Sequence, residues 1–319
     1  MKKIVVGFML IGALALAASA GMLQDKSVLS EPVPQGKLAF DADVAYSTAS
    51  DILFMPTLST TVEASWRSLS AAGISSVTYL NVPLRVSYGF ADNFSLRLTI
   101  PYASFDMKTA AGTETKGSGL ANVEVEGLYQ FFGDKDNSFA MLLKYKNGTG
   151  KKMSELGTGE AYVGSRSSDL LFAGIGSKAI GPVKGKLLLG YLYTGPYSEN
   201  LGLGTADIDI KISNQLIYSL ALLYSASDQL EFSGEFNGAM SLDKEKWSYT
   251  SAGVTNSVEF DHSLRDYLTF SPAIAYKFGE QLVVRGSADL LLSKTAAVTL
   301  NIWDMYKYNT YKVGLTYTI

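Results

Sequence analysis

The sequence predicts an all-β protein: a transmembrane, antiparallel up-and-down β-barrel of about 12 strands. Three observations lead to this fold class. Apolar residues recur at every second position, the alternating segments are long, and short turns alternate with long polar segments. A period of two is the pattern of a strand, because a helix would scatter these residues around its circumference. Soluble sheets use strands of about five or six residues, whereas a tilted strand needs roughly ten to cross a bilayer.

The clearest case is the stretch 207–242. Even positions from Ile208 to Tyr224 are apolar except for one asparagine, and the odd positions are mostly polar. After a short break at 226–229, a second arm from Leu230 repeats the alternation. Tyr224 and Phe232 stand beside the break, where the interfacial aromatic girdles of membrane barrels lie. We interpret this stretch as a β-hairpin with arms long enough to span a bilayer.

The same unit recurs along the chain. The sixth strand is the least regular, because Gly174, Gly176 and Lys178 dilute its outward face. Because short turns alternate with long segments along the chain, both chain termini fall on the short-turn side, which we expect to be periplasmic. A soluble β-sandwich would explain the alternation but not this regular difference in loop length. The predicted strands cover 38–46, 80–90, 94–102, 122–131, 139–146, 170–178, 187–193, 207–225, 230–242, 268–278, 282–292 and 311–319, and the long segments include 48–76, 107–119, 147–168 and 243–262.

The N-terminal residues divide into two predicted parts. Residues 1–20 have the form of a signal peptide: Lys2 and Lys3, an apolar run, and the small residues 18–20. Residues 21–36 show no alternation, and we leave open a flexible periplasmic segment or a partial plug of the barrel. The barrel itself is predicted over 37–319. No cysteine follows the apolar run, which excludes a lipid anchor there.

Composition excludes several classes of protein. The sequence has 27 basic and 30 acidic residues, and the predicted signal peptide removes two of the basic ones, which argues against a nucleic-acid partner. No apolar run beyond residue 20 approaches the roughly 18 residues of a membrane helix. Without cysteine the chain has no disulfides, so its order has to come from the hydrogen-bonded strand ladder.

Charged residues fall on the predicted inward face of neighbouring strands. A charged side chain facing lipid at mid-depth costs about 2–4 kcal/mol, so we assign these residues to the lumen. They either set the selectivity of a channel or form structural ion pairs, and the sequence favours neither. The charged lumen candidates are Asp43, Arg85, Arg97, Glu124, Glu126, Lys144, Lys146, Glu235, Arg285 and Asp289.

Predicted strands six to eight carry apolar residues at inward positions instead. This strip offers a route for a hydrophobic solute, or packs against a plug or the opposite wall. The apolar lumen candidates are Leu171, Ile175, Leu188, Leu192, Ile217 and Leu223.

Catalysis and cofactor binding have little support, and we predict no enzyme activity, cofactor or metal. His262 is the only histidine, and the adjacent Ser263 would point to the opposite face of a strand. The run 148–151 lacks the upstream glycine of a phosphate loop. An acidic group in the long segment 243–262 could bind a divalent ion, but we favour a solvated acidic loop: Asp243, Glu245, Glu259 and Asp261.

Two stretches resemble known families. The last eight residues resemble the C-terminal assembly signal of outer-membrane barrels, with Lys312, Gly314, Tyr317 and Ile319 at its positions, although Ile319 replaces the usual phenylalanine. The runs 86–102 and 117–132 resemble the phenol-degradation meta-pathway family of outer-membrane transporter-like proteins. This second resemblance implies uptake of hydrophobic or aromatic compounds.

Together these observations predict a passive channel for small, hydrophobic or aromatic solutes in the outer membrane of a Gram-negative bacterium. The alternative is a structural or surface-binding barrel with a plugged lumen and functional extracellular loops. Expected partners are outer-membrane lipids, the barrel-assembly machinery and a small hydrophobic solute.

Overall fold

A computed structural model describes the residues of the barrel wall and much of its surroundings. The described ranges are 31–52, 74–109, 112, 114–134, 136–149, 163–199, 208–251, 254–260, 266–294 and 306–319. The predicted signal peptide, residues 21–30 and the pair His262–Ser263 lie outside them.

The described chain is built from β-strands. Among these residues no helix is long and apolar enough to cross a membrane. The strands are β1 (Leu38–Ile52), β2 (Ile74–Ala91), β3 (Phe94–Thr109), β4 (Glu114–Leu120), β5 (Glu124–Gly133), β6 (Asn137–Lys146), β7 (Asp169–Ile180), β8 (Val183–Thr194), β9 (Tyr197–Glu199), β10 (Ile208–Lys211), β11 (Gln215–Ser225), β12 (Leu230–Ser241), β13 (Glu245–Ser251), β14 (Val254–Phe260), β15 (Tyr267–Phe278), β16 (Leu282–Lys294) and β17 (Tyr306–Thr318).

The main sheet closes on itself. Its strands run in the order β2-β1-β17-β16-β15-β12-β11-β8-β7-β6-β5-β3-β4, and β2 also pairs with β3. β3 pairs with β4 over one half and with β5 over the other, so β4 and β5 together occupy one place in the wall. The result is a closed barrel of 12 antiparallel strands, which confirms the predicted fold class.

The tight turns lie where the alternation breaks. They join β2 to β3, β5 to β6, β7 to β8, β11 to β12 and β15 to β16. Gly181 and Gly279 occupy two of them with φ of 59° and 68°, a conformation that favours glycine. We call this rim the short-turn end and the opposite rim the long-loop end.

The outer face of the barrel is apolar. Most side chains at the predicted lipid-facing positions are exposed on the isolated barrel, for example Leu98 at 41% and Leu220 at 52%, whereas Ile210 and Ile212 are buried. Near the short turns the rings of Tyr88 and Phe90 meet edge to face at 4.7 Å, and so do those of Tyr276 and Phe278. Tyrosines recur on this face towards the other rim: Tyr46, Tyr102, Tyr145, Tyr193 and Tyr311. An apolar belt between two aromatic girdles is the surface of an outer-membrane barrel, and it agrees with the predicted location.

The strand that looks weakest in the sequence is complete in the structure. β7 covers 12 residues, although two glycines lie on its outer face. Phe139 on the neighbouring β6 lies over Gly174, with its ring atoms 3.6–3.8 Å from the place of a Cβ. An aromatic side chain laid across a strand glycine restores the missing packing surface.

Three predicted loops, 48–76, 107–119 and 243–262, are wrong in part, because strands continue beyond the apolar belt. The segment 107–119 holds the end of β3 and most of β4, and 243–262 holds the hairpin of β13 and β14. The predicted strand 207–225 breaks at 212–214, where β10 leaves for a separate sheet of order β14-β13-β10-β9. Outside hydrocarbon both faces of a strand meet water, so the apolar half of the alternation disappears. Residues 53–73 of the predicted long segment 48–76 lie outside the described part; β1 extends to Ile52 and β2 begins at Ile74.

The two faces of β11 provide a direct test of this orientation. Leu220 points outward and Ser219 inward, where its hydroxyl donates to Glu235. We expect Leu220→Arg to destabilise the assembled barrel by about 2–4 kcal/mol, since it places a charge in the hydrocarbon layer. Ser219→Arg should assemble normally, because the new cation lies beside Glu235.

Heat-modifiable migration of membrane fractions on a gel measures the folded share of each variant. Equal defects in the two variants would mean that the inner and outer faces are misassigned, since a slip of one residue exchanges them.

Candidate functional site: the inner wall

Cross-strand register arranges the inward side chains in rows around the wall. In one row Asp41 faces Arg85, Arg85 faces Thr99, and Thr99 faces Glu124. The row continues through Lys146, Asp169 and Thr194 on β6, β7 and β8. The next row towards the short-turn end holds Ser87, Arg97, Glu126, Lys144, Leu171, Leu192 and Gln215. Directly opposed residues lie about 4.5–5.5 Å apart at Cβ, so each row is a chain of contacts.

We call the ion-paired charged residues in and beside these rows the charge belt. Its first part spans β16, β17, β1, β2 and β3. Arg85 pairs with Asp43 at 2.5 Å, and Arg285 lies 3.5 Å from both Asp41 and Asp43. Arg97 lies 3.5 Å from Asp41 and 3.9 Å from Glu126. Arginine donates along several directions, so each guanidinium bridges strands that are not joined by a turn.

The second part of the belt spans β5, β6 and β7. Lys144 pairs with Glu124 at 2.5 Å, and Lys146 pairs with Asp169 at the same distance. Lys146 also donates to the Ser165 hydroxyl at 2.8 Å. The side chains of Lys146 and Asp169 are 2% and 0% exposed, so this pair is taken out of water.

The charge belt contains as many cations as acids. A further pair, Lys312 with Asp289 at 2.8 Å, joins β17 to β16. Glu235 lies apart from the belt, on β12, where it accepts the hydrogen bond from Ser219. Each cation of the belt has an acid at ion-pair distance, so the belt has no surplus of one sign. The cations are Arg85, Arg97, Lys144, Lys146, Arg285 and Lys312, and the acids are Asp41, Asp43, Glu124, Glu126, Asp169 and Asp289.

Gly314 makes room for this belt at the seam between the first and last strands. A Cβ at Gly314 would lie 1.8 Å from the Oδ1 atom of Asp43. Lys312 and Gly314, which resemble an assembly signal, therefore also have local contacts inside the barrel. Tyr317 and Ile319 of the same signal lie on the outer face.

Beside the charge belt, the wall carries an apolar cluster. Leu171, Ile175 and Leu192 are buried in it, with Leu188 and Ile217 packed against its edge. Leu223 also lies inward on β11 but is half-buried, outside the cluster. Sequence reasoning missed three members, Leu128, Ala140 and Leu142, which continue the inward parity of Glu124, Glu126 and Lys144. The same period of two would have found them. The cluster therefore extends from β5 to β11.

A strap crosses the short-turn end; we use this name for residues 31–37. Val33 donates its N–H to the Ser95 hydroxyl at 2.6 Å, and Ser95 donates back to the Val33 carbonyl at 3.3 Å. Gly36 donates to the Gly89 carbonyl at 2.8 Å, and Gly89 donates to the Lys37 carbonyl at 3.1 Å. These bonds fasten the strap to the inside of β2 and β3.

The far end of the strap reaches the opposite wall. Glu31 forms an ion pair with Lys184 on β8, six places around the 12-strand wall from β1. Burial acts to raise the pKa of Glu31, but the hydrogen bond from Lys184 and the charges of Lys186 and Lys184 outweigh it and lower that pKa. The Glu31 side chain is still 53% exposed, so this ion pair contributes little compared with the bonds to Ser95 and Gly89.

Another segment, residues 163–168, folds inward at the long-loop end. Asn122 donates to the carbonyls of Asn147 at 2.6 Å and Ser165 at 2.8 Å, and it accepts the Ser165 N–H. Ser165 and Ser167 are buried. Specific hydrogen bonds thus hold one segment against the wall at each end of the described barrel.

Metal binding at the acidic segment receives no support from the described residues. No group of three or more metal-ligating side chains comes together in the described ranges, and Asp261 lies outside them. Glu259 pairs with Lys246 at 3.6 Å, and Asp243 lies 3.6 Å from Lys211.

Comparison with known proteins finds likeness in structure only. No protein-family model matches the chain, and no curated protein does. An outer-membrane channel from Pseudomonas putida F1 superposes with a TM-score of 0.65 at 10% identity, covering 91% of this chain and 98% of the channel. The translocator domain of the autotransporter NalP from Neisseria meningitidis gives 0.52 at 11% identity, with 96% and 98% covered. A deletion variant of TodX, a monoaromatic hydrocarbon channel, gives 0.51 at 10% identity, with 92% and 94% covered. These likenesses concern the barrel fold.

Buried and exposed ion pairs should differ sharply in their effect on stability. Lys146→Met leaves Asp169 buried without its cation, and we expect a loss of about 3–5 kcal/mol in the free energy of unfolding. Lys246→Met removes an exposed partner of Glu259 and should change stability by about 1 kcal/mol or less. Denaturant unfolding of the barrel in lipid vesicles, followed by circular dichroism, measures both. Similar losses would show that the inner belt is as hydrated as the surface.

Gly89 controls whether the strap fits. A Cβ there would lie 2.2 Å from the Pro34 carbonyl oxygen, so we expect Gly89→Val to displace the strap and raise single-channel conductance in planar bilayers. Gly176→Val is the matched control, because a Cβ at Gly176 meets nothing within 4 Å.

Acidification should also loosen the strap and raise single-channel conductance, but only slightly. Since the pKa of Glu31 is lowered in the folded state, its ion pair stabilises the strap above the ordinary carboxyl value of about 4.3 and is lost as pH falls through the lowered value.

A folded Gly89→Val barrel with wild-type conductance would mean that the strap does not restrict the lumen.

Proposed function

We propose that the chain is a passive outer-membrane channel for small solutes, and that its inner wall favours hydrophobic or aromatic ones. The observation that carries this proposal is the apolar cluster from β5 to β11, which lies on the inside of a membrane barrel. A wall built only for water and ions would expose polar side chains along its whole circumference.

The charge belt supports a preference for uncharged solutes. Each cation of the belt faces an acid at ion-pair distance, for example Lys144 with Glu124 at 2.5 Å. A balanced belt has little long-range field to attract ions of either sign. Of the two roles considered for these residues, structural ion pairing therefore fits better than setting ion selectivity.

A hydrophobic solute gains from contact with the apolar cluster. Transfer of apolar surface from water is worth roughly 25 cal/mol per Å², so even partial contact with Leu188 and Ile217 retains the solute at the wall. The sequence has no nucleotide-binding motif, which favours passage down a gradient. The fold-level likeness to TodX, itself a monoaromatic hydrocarbon channel, agrees with this solute class, as does the resemblance to the meta-pathway transporter family.

Within this proposal residues 21–36 are a partial plug that follows a cleaved signal peptide. Their described end, the strap, joins opposite walls at the short-turn end. Solutes that enter from the long-loop end then leave past the strap.

The alternative is a structural or surface-binding barrel. The sheet of β9, β10, β13 and β14 favours it, because a four-stranded sheet beyond the main barrel offers a surface for a partner. This barrel would conduct neither ions nor solutes, with the strap in place or displaced.

The double variant Leu188→Asp/Ile217→Asp tests the solute class. If a solute buries roughly 50 Å² against these side chains, losing that contact costs about 1.3 kcal/mol, close to tenfold in binding. We expect uptake of the aromatic probe N-phenyl-1-naphthylamine by cells expressing the variant to fall by about that factor.

Leu220→Ala, which trims the outer face, is the control for expression and assembly. Uptake that stays at the wild-type rate in a correctly assembled double variant would reduce the apolar cluster to packing, and the hydrophobic solute class would be withdrawn.

A further inference from the structure

Among the described residues, the side chains of three buried polar residues at the edge of the apolar cluster have no hydrogen-bond partner. Gln215 is 0% exposed, and neither its amide oxygen nor its amide nitrogen is bonded. The hydroxyls of Ser213 and Thr194, 0% and 1% exposed, are likewise without partners among the described residues. Buried polar groups are almost always hydrogen-bonded, so three neighbouring exceptions require an explanation.

Strand register places Gln215 and Thr194 beside the apolar cluster and on the inner face, and Ser213 precedes Gln215 by two residues in the chain. Gln215 faces Leu192 directly across β11 and β8, and Leu192 faces Leu171. Thr194 lies two residues beyond Leu192 on the same face of β8, and its backbone N–H donates to the Asn214 side chain at 3.3 Å. The polar groups therefore sit on the long-loop side of the apolar surface, within one patch of the wall.

The patch carries no net charge. Asp169 faces Thr194 across β7 and β8, but its carboxylate pairs with Lys146 at 2.5 Å. Gln215 offers one donor and one acceptor group, and each hydroxyl offers both. A neutral head that both donates and accepts satisfies them, whereas an ionised head would be buried without a counter-charge.

We propose that Gln215, Thr194 and Ser213 form the polar half of a binding site for neutral amphiphiles, meaning small molecules with an apolar body and one uncharged hydroxyl or amide head. The apolar body lies on Leu188 and Ile217, the partly buried edge of the apolar cluster, and the head bonds to Gln215. This inference rests on the proposed function and narrows its solute class. A site with buried hydrogen-bonding groups discriminates against an analogue that lacks the head, because those groups then stay unpaired.

The test compares probes of nearly equal shape. ¹⁹F NMR measures the binding of 4-fluorobenzyl alcohol, 1-ethyl-4-fluorobenzene and 4-fluorobenzoate to the full barrel in nanodiscs, with empty nanodiscs as the baseline. We expect the alcohol to bind about tenfold more tightly than the ethyl analogue, and the benzoate to bind most weakly. In Gln215→Leu the alcohol should lose that advantage while the ethyl analogue binds as well as before.

Two controls separate a binding role from a structural one. Gln130→Leu makes the same change at an inward position near the short-turn end and should leave the selectivity intact. Gln215→Leu should also be at least as stable as the wild type in denaturant, because it removes an unpaired buried group. A destabilised Gln215→Leu barrel would reveal a structural partner and overturn the site.

The outcomes also separate this inference from the function on which it rests. Equal binding of alcohol and ethyl analogue, both weakened by Leu188→Asp/Ile217→Asp, would overturn the polar half of the site and leave the apolar route. Failure of the wild-type barrel to bind either neutral probe would overturn both.

Discussion

Closure of the sheet between its first and last strands is the constraint on which the rest of the structure depends. In hydrocarbon every backbone N–H and C=O has to be bonded within the protein, and only a closed sheet has no edge. The seam between β1 and β17 extends from Ala39 opposite Thr318 to Ile52 opposite Tyr306. Inside it, Ser47 and Thr310 share a buried hydrogen bond of 2.7 Å. Gly314 leaves space for Asp43, so the seam that closes the barrel also begins the charge belt.

Closure of the wall gives the alternating side chains two different environments. Side chains of one parity meet lipid, and those of the other parity share the interior. Long charged side chains there pair across strands, as Lys146 does with Asp169. Where inward positions carry no charge, as at Leu128, Leu142 and Leu192, apolar side chains pack against one another. The division of the inner wall into a balanced belt and an apolar cluster is the feature that distinguishes this barrel from a uniformly polar pore.

Much of this arrangement could be predicted from the period of two. It assigns Leu98 and Leu220 to lipid and Arg97 and Ser219 to the interior, and it locates the five short turns. The period of two no longer predicts strands where the chain leaves the membrane. Beyond the membrane both faces of a strand meet water, so β13 and β14 look like a polar loop. The contacts of the strap could not be predicted either, because Val33 and Gly36 join the wall through backbone groups and a Ser95 hydroxyl, and hydrogen bonds of this kind leave no pattern in hydropathy.

By itself the sequence determined the fold class and the face of each wall residue, because a period of two has one meaning in a sheet that separates lipid from an interior. Only the tertiary structure decided the height at which neighbouring strands meet. A register shift of two residues keeps every side chain on its face, so alternation alone does not distinguish Lys146 opposite Asp169 from Lys144 in that place. The register is set by the hydrogen bonds and side-chain packing of the whole closed sheet together. It brings Gln215 beside Leu192 and gives the inner wall its combination of unpaired polar groups and apolar surface.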